Sequence, residues 1–326
     1  MTTTVFSAAA AQWTERIATA VREGLASSPK HLPPWLFYDE AGSRLFEEIT
    51  ETPEYYLTRT ERAILSEHAG AIIARAAAGD RLRITELGAG SADKTRLLLS
   101  AAVRRQGAVI YEPVDVSGSA LNAAQDRLER EFPDVLVAPQ ILDYTDGLQL
   151  EIPSPDERRL VLYIGSSIGN FEPPEAALLL QRTRSGLRRG DALLLGVDLV
   201  KSAETLLAAY DDAAGVTAAF NLNLLVRLNR ELGADFDLSG FAHCAMWNAT
   251  ASRMEIYLVS RVPQTVHLSA LDMTVQFGRS ECMHTENSYK YGCTQAETML
   301  ARARFTPEVT WTDPRGWFAV ILARAE

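Results

Sequence analysis

Arg83-Ile84-Thr85-Glu86-Leu87-Gly88-Ala89-Gly90-Ser91-Ala92-Asp93-Lys94-Thr95 is the stretch that decides the fold. An apolar run climbs into two glycines, and a helix-compatible segment from Asp93 to Val103 follows. This is how the first strand of an open α/β sheet turns into its first helix. Gly88 and Gly90 carry no Cβ, so the backbone there can pass close to a ligand. The third glycine of the dinucleotide fingerprint is absent, and Glu86 stands just before the turn, where a carboxylate repels a pyrophosphate. A cofactor without phosphates therefore fits better than NAD. S-adenosylmethionine, with its sulfonium and free amine, suits an acidic turn. An ordinary tight turn is the competing reading of a lone Gly-x-Gly.

The next apolar run, Val109-Ile110-Tyr111-Glu112-Pro113-Val114-Asp115-Val116-Ser117, ends in an acid 27 residues past Gly88. An acid at the tip of the second strand can accept hydrogen bonds from two ribose hydroxyls. Asp115 also competes for the cap of the helix starting near Ser119, a role that Ser117 or Ser119 can take instead. The two features in register point to a nucleoside cofactor.

Working outward, strands near 82–87, 109–116, 135–139, 160–164 and 192–197 alternate with helices near 93–105, 118–131 and 173–188. Such alternation implies a parallel sheet covered by helices on both faces. After the third strand, Asp143 and Tyr144 are placed to hold an adenine through its amine and its face, or simply to form a solvated loop. The fourth strand runs into Gly165-Ser166-Ser167-Ile168-Gly169-Asn170, where ligands bind in such sheets. Asn170 either grips a ligand's carboxylate or amine, or caps the helix beginning at Pro173.

Ahead of the sheet, a helical stripe over 8–27 precedes a proline-bearing break and an aromatic region containing Tyr38, Tyr55 and Tyr56. Tyrosine clusters are ordinary packing. They are also what a pocket for a small polar ligand requires. Residues 203–231 read as one long helical region, and 241–277 then alternate like an antiparallel sheet, which marks a second lobe. A helix over 295–302 and two closing strands, 308–312 and 318–323, complete the layout of a class I methyltransferase.

Bulk composition narrows the function. A net charge of -10 argues against nucleic acid and anionic membranes as partners, because both need a basic face. No apolar run approaches a membrane span, and residues 1–13 lack the pattern of a signal peptide, so a cytosolic monomer is expected. Cys244, Cys282 and Cys293 form no Cys-x-x-Cys pair, and the five histidines lack ligand spacing, so no metal and no disulfide is expected.

Five stretches carry a resemblance that covers nearly the whole chain. They are Leu32-Pro33-Pro34-Trp35-Leu36-Phe37-Tyr38-Asp39, Pro53-Glu54-Tyr55-Tyr56-Leu57-Thr58-Arg59-Thr60-Glu61, Gly165 to Asn170, Ala209 to Asn221, and Thr285-Glu286-Asn287-Ser288. With these the chain resembles the histidine-specific Nα-methyltransferases of ergothioneine biosynthesis, which trimethylate the α-amine of L-histidine to hercynine with S-adenosylmethionine. The resemblance implies a Rossmann-like, seven-stranded class I methyltransferase domain over 61–199 and 291–326. It also implies a smaller α+β substrate-binding domain over 1–60 and 200–290. By motif, Gly88, Gly90, Lys94, Asp115, Asp143 and Tyr144 correspond to cofactor contacts, with Tyr144 where the family often has Phe. Asn170 and Tyr210 correspond to a clamp on the substrate carboxylate, Tyr38 to the contact on the amine, and Tyr55 to a contact on the imidazole side, and on chemical grounds either water or Tyr38 can relay the proton that the ammonium loses. Glu286 and Ser288 correspond to the pair that reads the imidazole, and two residues apart on a strand they share one face. Without the family, the same pair is a surface Glu beside a Ser. Ile256 stands where actinobacterial relatives carry Met, which alters the pocket wall. N-methylation of tryptophan or tyrosine, and non-enzymatic binding of S-adenosylmethionine, are the rival readings.

Overall fold

The computed structural model describes residues 2–90, 92–115, 118–147 and 154–326. The chain divides into two compact units, a smaller one of residues 1–55 and 202–288 and a larger one of residues 56–201 and 289–326.

The smaller unit opens with α1 (Thr2–Ala26), which buries Ile17, Val21 and Leu25 along one helical stripe. A short strand β1 (Lys30–His31) and a 3-10 turn over Pro34–Phe37 lead to α2 (Glu40–Glu51). Asp39 caps α2 by accepting the Gly42 N–H at 2.7 Å.

The larger unit follows. It runs α3 (Tyr56–Ala77), β2 (Arg81–Leu87), α4 (Thr95–Gln106), β3 (Val109–Asp115), α5 (Gly118–Glu131), β4 (Val135–Val137), β5 (Gln140–Ile141), β6 (Glu157–Tyr163), α6 (Pro173–Ser185) and β7 (Ala192–Asp198). The smaller unit then resumes with α7 (Ala203–Tyr210), α8 (Val216–Leu232), β8 (Phe241–Asn248), β9 (Arg253–Ser260), β10 (Gln264–Leu268), β11 (Met273–Phe277) and β12 (Cys282–Tyr289). Finally α9 (Cys293–Arg302), β13 (Phe305–Thr312) and β14 (Phe318–Ala325) complete the larger unit.

The large sheet has the order β13-β14-β7-β6-β2-β3-β4. Pairings from β7 through β4 are parallel, whereas β13 and β14 close the sheet as an antiparallel hairpin. The two-residue β5 pairs with β3 beyond the end of β4, so β4 and β5 together fill one edge position and add an eighth segment to the expected seven. Every residue of β7 is buried, which explains its unbroken run Leu193-Leu194-Leu195: a strand covered on both faces has no polar side to show. Two apolar clusters lie on the two faces. One packs Ile64, Leu65, Ile72 and Ile73 of α3 with Leu98 and Leu99 of α4, and the other packs Leu179 and Leu180 of α6 with Leu300 of α9. The strand order reverses direction between β2, joined to β3, and β6, so the switch point where ligands bind in open α/β sheets lies beyond Leu87 and Tyr163.

The smaller unit holds a four-stranded sheet, β1-β12-β9-β8, and the hairpin β10-β11. The single helix expected over 203–231 is two helices. Asp212 accepts the N–H groups of Val216 and Thr217 at 2.9 and 2.7 Å, and Gly215 adopts φ 76, so the chain stops and restarts there. Among the described residues no helix is long and apolar enough to cross a membrane. Nor does any group of three or more His, Cys, Asp or Glu there form a metal site, and the three cysteines are free thiols.

Candidate active site

In the larger unit the turn after β2 places Gly88 and Gly90 at φ 67 and 49, a region in which a side chain is strained. The Gly88 N–H donates to the Val114 carbonyl at 2.8 Å, which draws the turn over the tip of β3. Asp115, at that tip, accepts from the Gly90 N–H at 3.5 Å. Val116 and Ser117, the end of the expected strand and one alternative cap of α5, lie outside the described residues. The Tyr144 hydroxyl stands 3.4 Å from the point a Cβ on Gly88 would occupy. Asp143 caps the short turn Tyr144–Asp146, accepting from the Thr145 N–H at 2.9 Å and from its hydroxyl at 2.6 Å. Tyr144 lies edge-on to Tyr163 at 5.8 Å, and burial pushes its hydroxyl up to about 12. Gly88, Gly90, Asp115, Asp143 and Tyr144 are thus brought together within this unit.

Glu86 lies beneath the turn, buried rather than open to a ligand. Its side chain is buried on the face of β2 covered by α4, where it accepts from the Thr95 hydroxyl at 2.7 and 2.8 Å and from Tyr111. Burial pushes this carboxyl up to about 7. Lys94 is tied to the fully buried Glu61, whose two carboxylate oxygens also accept the Gly165 N–H at 2.9 and 3.0 Å. Glu61 therefore links the turn after β2 to the turn after β6, a connection the sequence reading missed although Glu61 closes one of its motifs.

These residues fit a nucleoside cofactor. An acceptor beside the glycine turn suits ribose hydroxyls, and an aromatic ring with a second acid suits a base and its amine. The one lysine of the set is neutralised by Glu61 and does not suit a pyrophosphate.

At the end of β6, Gly165 has φ 83 and Ser166 has φ 60. Asn170 ends the short turn Ser167–Asn170 and does not cap α6. The cap is Glu172, whose N–H is accepted by Glu175 at 3.0 Å. Close to where β7 ends, Asp198 accepts from Tyr56 at 2.7 Å, from Lys201 at 2.6 Å and from Lys290 at 2.9 Å, all of them buried. This knot was not legible in the sequence because only Asp198 and Lys201 are neighbours in it, whereas Tyr56 lies 145 positions before Lys201 and Lys290 stands far beyond.

The smaller unit holds the residues expected around the substrate except Asn170, which belongs to the larger unit. Tyr38 is 37% exposed and meets Phe46 and Phe220 edge-on at 5.8 Å each. Phe46 meets Tyr55 at 6.2 Å, and Tyr55 meets Tyr210 at 6.4 Å. The Tyr210 hydroxyl shares a 2.7 Å hydrogen bond with Ser288. Ile256 is buried in β9, and its carbonyl accepts from the Thr285 hydroxyl at 3.1 Å. In β12 the alternation of burial breaks after Thr285: Glu286 and Asn287 are both half-buried, and Ser288 and Tyr289 are both buried. Glu286 is therefore more open than Ser288, two residues on in the same strand.

The sequence reading did not find the polar network beneath these residues. Asn221 donates to His243 Nδ1 at 2.9 Å and to the Tyr257 carbonyl at 3.0 Å, and accepts from the Thr285 hydroxyl at 3.0 Å. His243 Nε2 in turn reaches the Tyr210 carbonyl at 2.8 Å. Asn221 and Thr285 stand inside the recognised motifs, and that was the available signal.

The family described as "Histidine-specific methyltransferase, SAM-dependent" matches residues 17–325. The chain is 44% identical over 309 residues to a protein named "Histidine N-alpha-methyltransferase" from Mycolicibacterium smegmatis, covering 95% of each chain. It is 44% identical over 303 residues to one of the same name from Mycobacterium tuberculosis, covering 93% of each. It is 30% identical over 284 residues to "Ergothioneine biosynthesis protein 1" of Schizosaccharomyces pombe, covering 84% of this chain and 36% of that one.

Proposed function

The chain belongs to the histidine-specific, S-adenosylmethionine-dependent methyltransferases, and from that premise we propose that it trimethylates the α-amine of L-histidine to hercynine, an early step of ergothioneine biosynthesis. The structural observation that carries the substrate reading is the 2.7 Å hydrogen bond between Tyr210, at the end of α7, and Ser288, which follows Glu286 by two residues in β12.

When bound, S-adenosylmethionine would supply an electrophilic methyl group on a sulfonium for transfer to the amine nitrogen. Gly88 and Gly90 let the backbone approach the cofactor, and Asp115 accepts from the ribose hydroxyls. Asp143 and Tyr144 take the adenine, while Lys94 contacts the cofactor from its place on Glu61. By the motifs they stand in, Asn170 and, separately, Tyr210 are assigned to the substrate carboxylate, Tyr38 to the amine, and Tyr55 with Ile256 to the ring. Glu286 and Ser288 bond the two ring nitrogens. Each transfer needs a free lone pair on nitrogen, so a proton must leave the ammonium before every round. Tyr38, partly exposed, relays that proton to water, and no strong base is required. Most of the acceleration comes from holding the nucleophile in line. An acidic enzyme that takes a free amino acid and S-adenosylmethionine, both cytosolic metabolites, works in the cytosol on a small molecule, without nucleic acid.

A phenyl or indole ring offers Glu286 no matching pair of nitrogens, so an acid left without its partner penalises it. Glu286→Ala should cost histidine roughly 2–4 kcal/mol in kcat/KM and shift the histidine-to-tryptophan ratio toward tryptophan. If that ratio stays put, Glu286 does not read the ring, and the tyrosines of the smaller unit set the selectivity.

A further inference from the structure

Tyr210 ends α7, and the last carbonyls of a helix have no partner within the helix. The Tyr210 carbonyl finds one in His243 Nε2 on β8, 2.8 Å away. A carbonyl only accepts, so Nε2 carries the proton and Nδ1 is left as an acceptor. Nδ1 receives the Asn221 amide at 2.9 Å, and the same amide nitrogen donates to the Tyr257 carbonyl on β9. The Asn221 oxygen takes the Thr285 hydroxyl of β12. The amide orientation and the imidazole tautomer are thus fixed by partners that leave no second choice. Burial also pushes the His243 imidazole down, toward the neutral form that this pattern requires.

The network joins α7, α8, β8, β9 and β12, the elements that carry Tyr210, Ile256, Glu286 and Ser288. Its two ends bracket the bond between Tyr210 and Ser288 at 2.7 Å. Tyr210 is assigned to the substrate's carboxylate and Ser288 to its ring, so that bond sets the distance at which the two ends of the amino acid are read. We propose that the Asn221–His243 pair is a positioning device for substrate recognition. It holds the Tyr210 hydroxyl against Ser288 and so matches the site to the reach of histidine. His243 acts through Tyr210 and touches no reacting atom. The inference rests on the histidine reading above.

The test is a double-mutant cycle on the full chain, with L-histidine as acceptor and saturating S-adenosylmethionine. His243→Ala should raise KM for histidine about tenfold, the loss expected when a helix-end carbonyl and a buried amide lose their partner, with kcat and cofactor affinity near wild type. His243→Gln, whose amide can donate to the Tyr210 carbonyl, should recover most of that loss. In a Tyr210→Phe background His243→Ala should cost almost nothing further. Thr285→Val, at the far end of the network, should show the same signature in smaller size and serves if His243→Ala does not fold. Multiplying effects of His243→Ala and Tyr210→Phe, or a fall in kcat with KM unchanged, would overturn the proposal. No turnover of histidine by the wild type would instead overturn the functional reading it rests on.

Discussion

Replacing Glu86 by glutamine isolates the energetics beneath the cofactor turn. The carboxyl is enclosed between β2, α4 and β3 and receives hydrogen bonds from Thr95 and Tyr111. Desolvation raises it from its ordinary 4.5 to about 7, against the pull of those two hydroxyls. Because the folded value lies above the unfolded one, the group stabilises the fold in full below about pH 4.5. That contribution is lost as pH rises to about 7. The span corresponds to a loss on the order of 3 kcal/mol. Glutamine keeps the shape, lets both hydroxyls rotate to serve the amide, and does not titrate. Urea unfolding of wild type and Glu86→Gln at several pH values between 5 and 8 reads the difference directly, provided m stays constant. The variant should gain on the wild type across this window. Parallel curves would refute the buried-carboxylate account. Since Glu86 is buried and its oxygens are taken by Thr95 and Tyr111, the substitution should also disturb cofactor affinity less than a change at Asp115 does. The opposite ranking would restore the acidic-turn reading.

Two further outcomes probe the site from either end. Asp115→Ala should weaken S-adenosylmethionine binding by on the order of 1.5–3 kcal/mol, because the ribose hydroxyls lose a charged acceptor, and calorimetry with unchanged affinity would remove Asp115 from the cofactor site. Asn170→Ala should raise KM for histidine while leaving cofactor binding intact, and histamine, which lacks the carboxylate, should be a poor substrate. Histamine turning over as fast as histidine would dismiss the carboxylate clamp.

The strand, turn and helix around Gly88 were legible because three independent signals coincide there: an apolar run, two glycines and an acid 27 residues on. The rest failed where a second level of structure decides. Nothing in the order of residues says which face of β2 is covered by Thr95, so Glu86 read as part of the turn when it belongs to the core. Of the two readings open for Asn170, ligand grip or cap, the cap falls away because Glu172-Pro173-Pro174-Glu175 holds the stronger start signal, with proline in the first turn and Glu three past the cap. The break at residues 211–215 was marked by Asp212 and Gly215, which were overrun by the helical periodicity on either side. The ties from Glu61 to Lys94 and from Asn221 to His243 join residues 33 and 22 positions apart, and pairing at that range is invisible without the fold.

Offering the protein S-adenosylmethionine with an equimolar pool of the common amino acids, and following each by mass, tests the central claim most directly. L-histidine should pass through one and two added methyl groups and accumulate with three, all on the α-nitrogen, while the other amino acids stay unchanged. Methylation of tryptophan or tyrosine in preference to histidine, or no methyl transfer by a protein that still binds the cofactor, would contradict it.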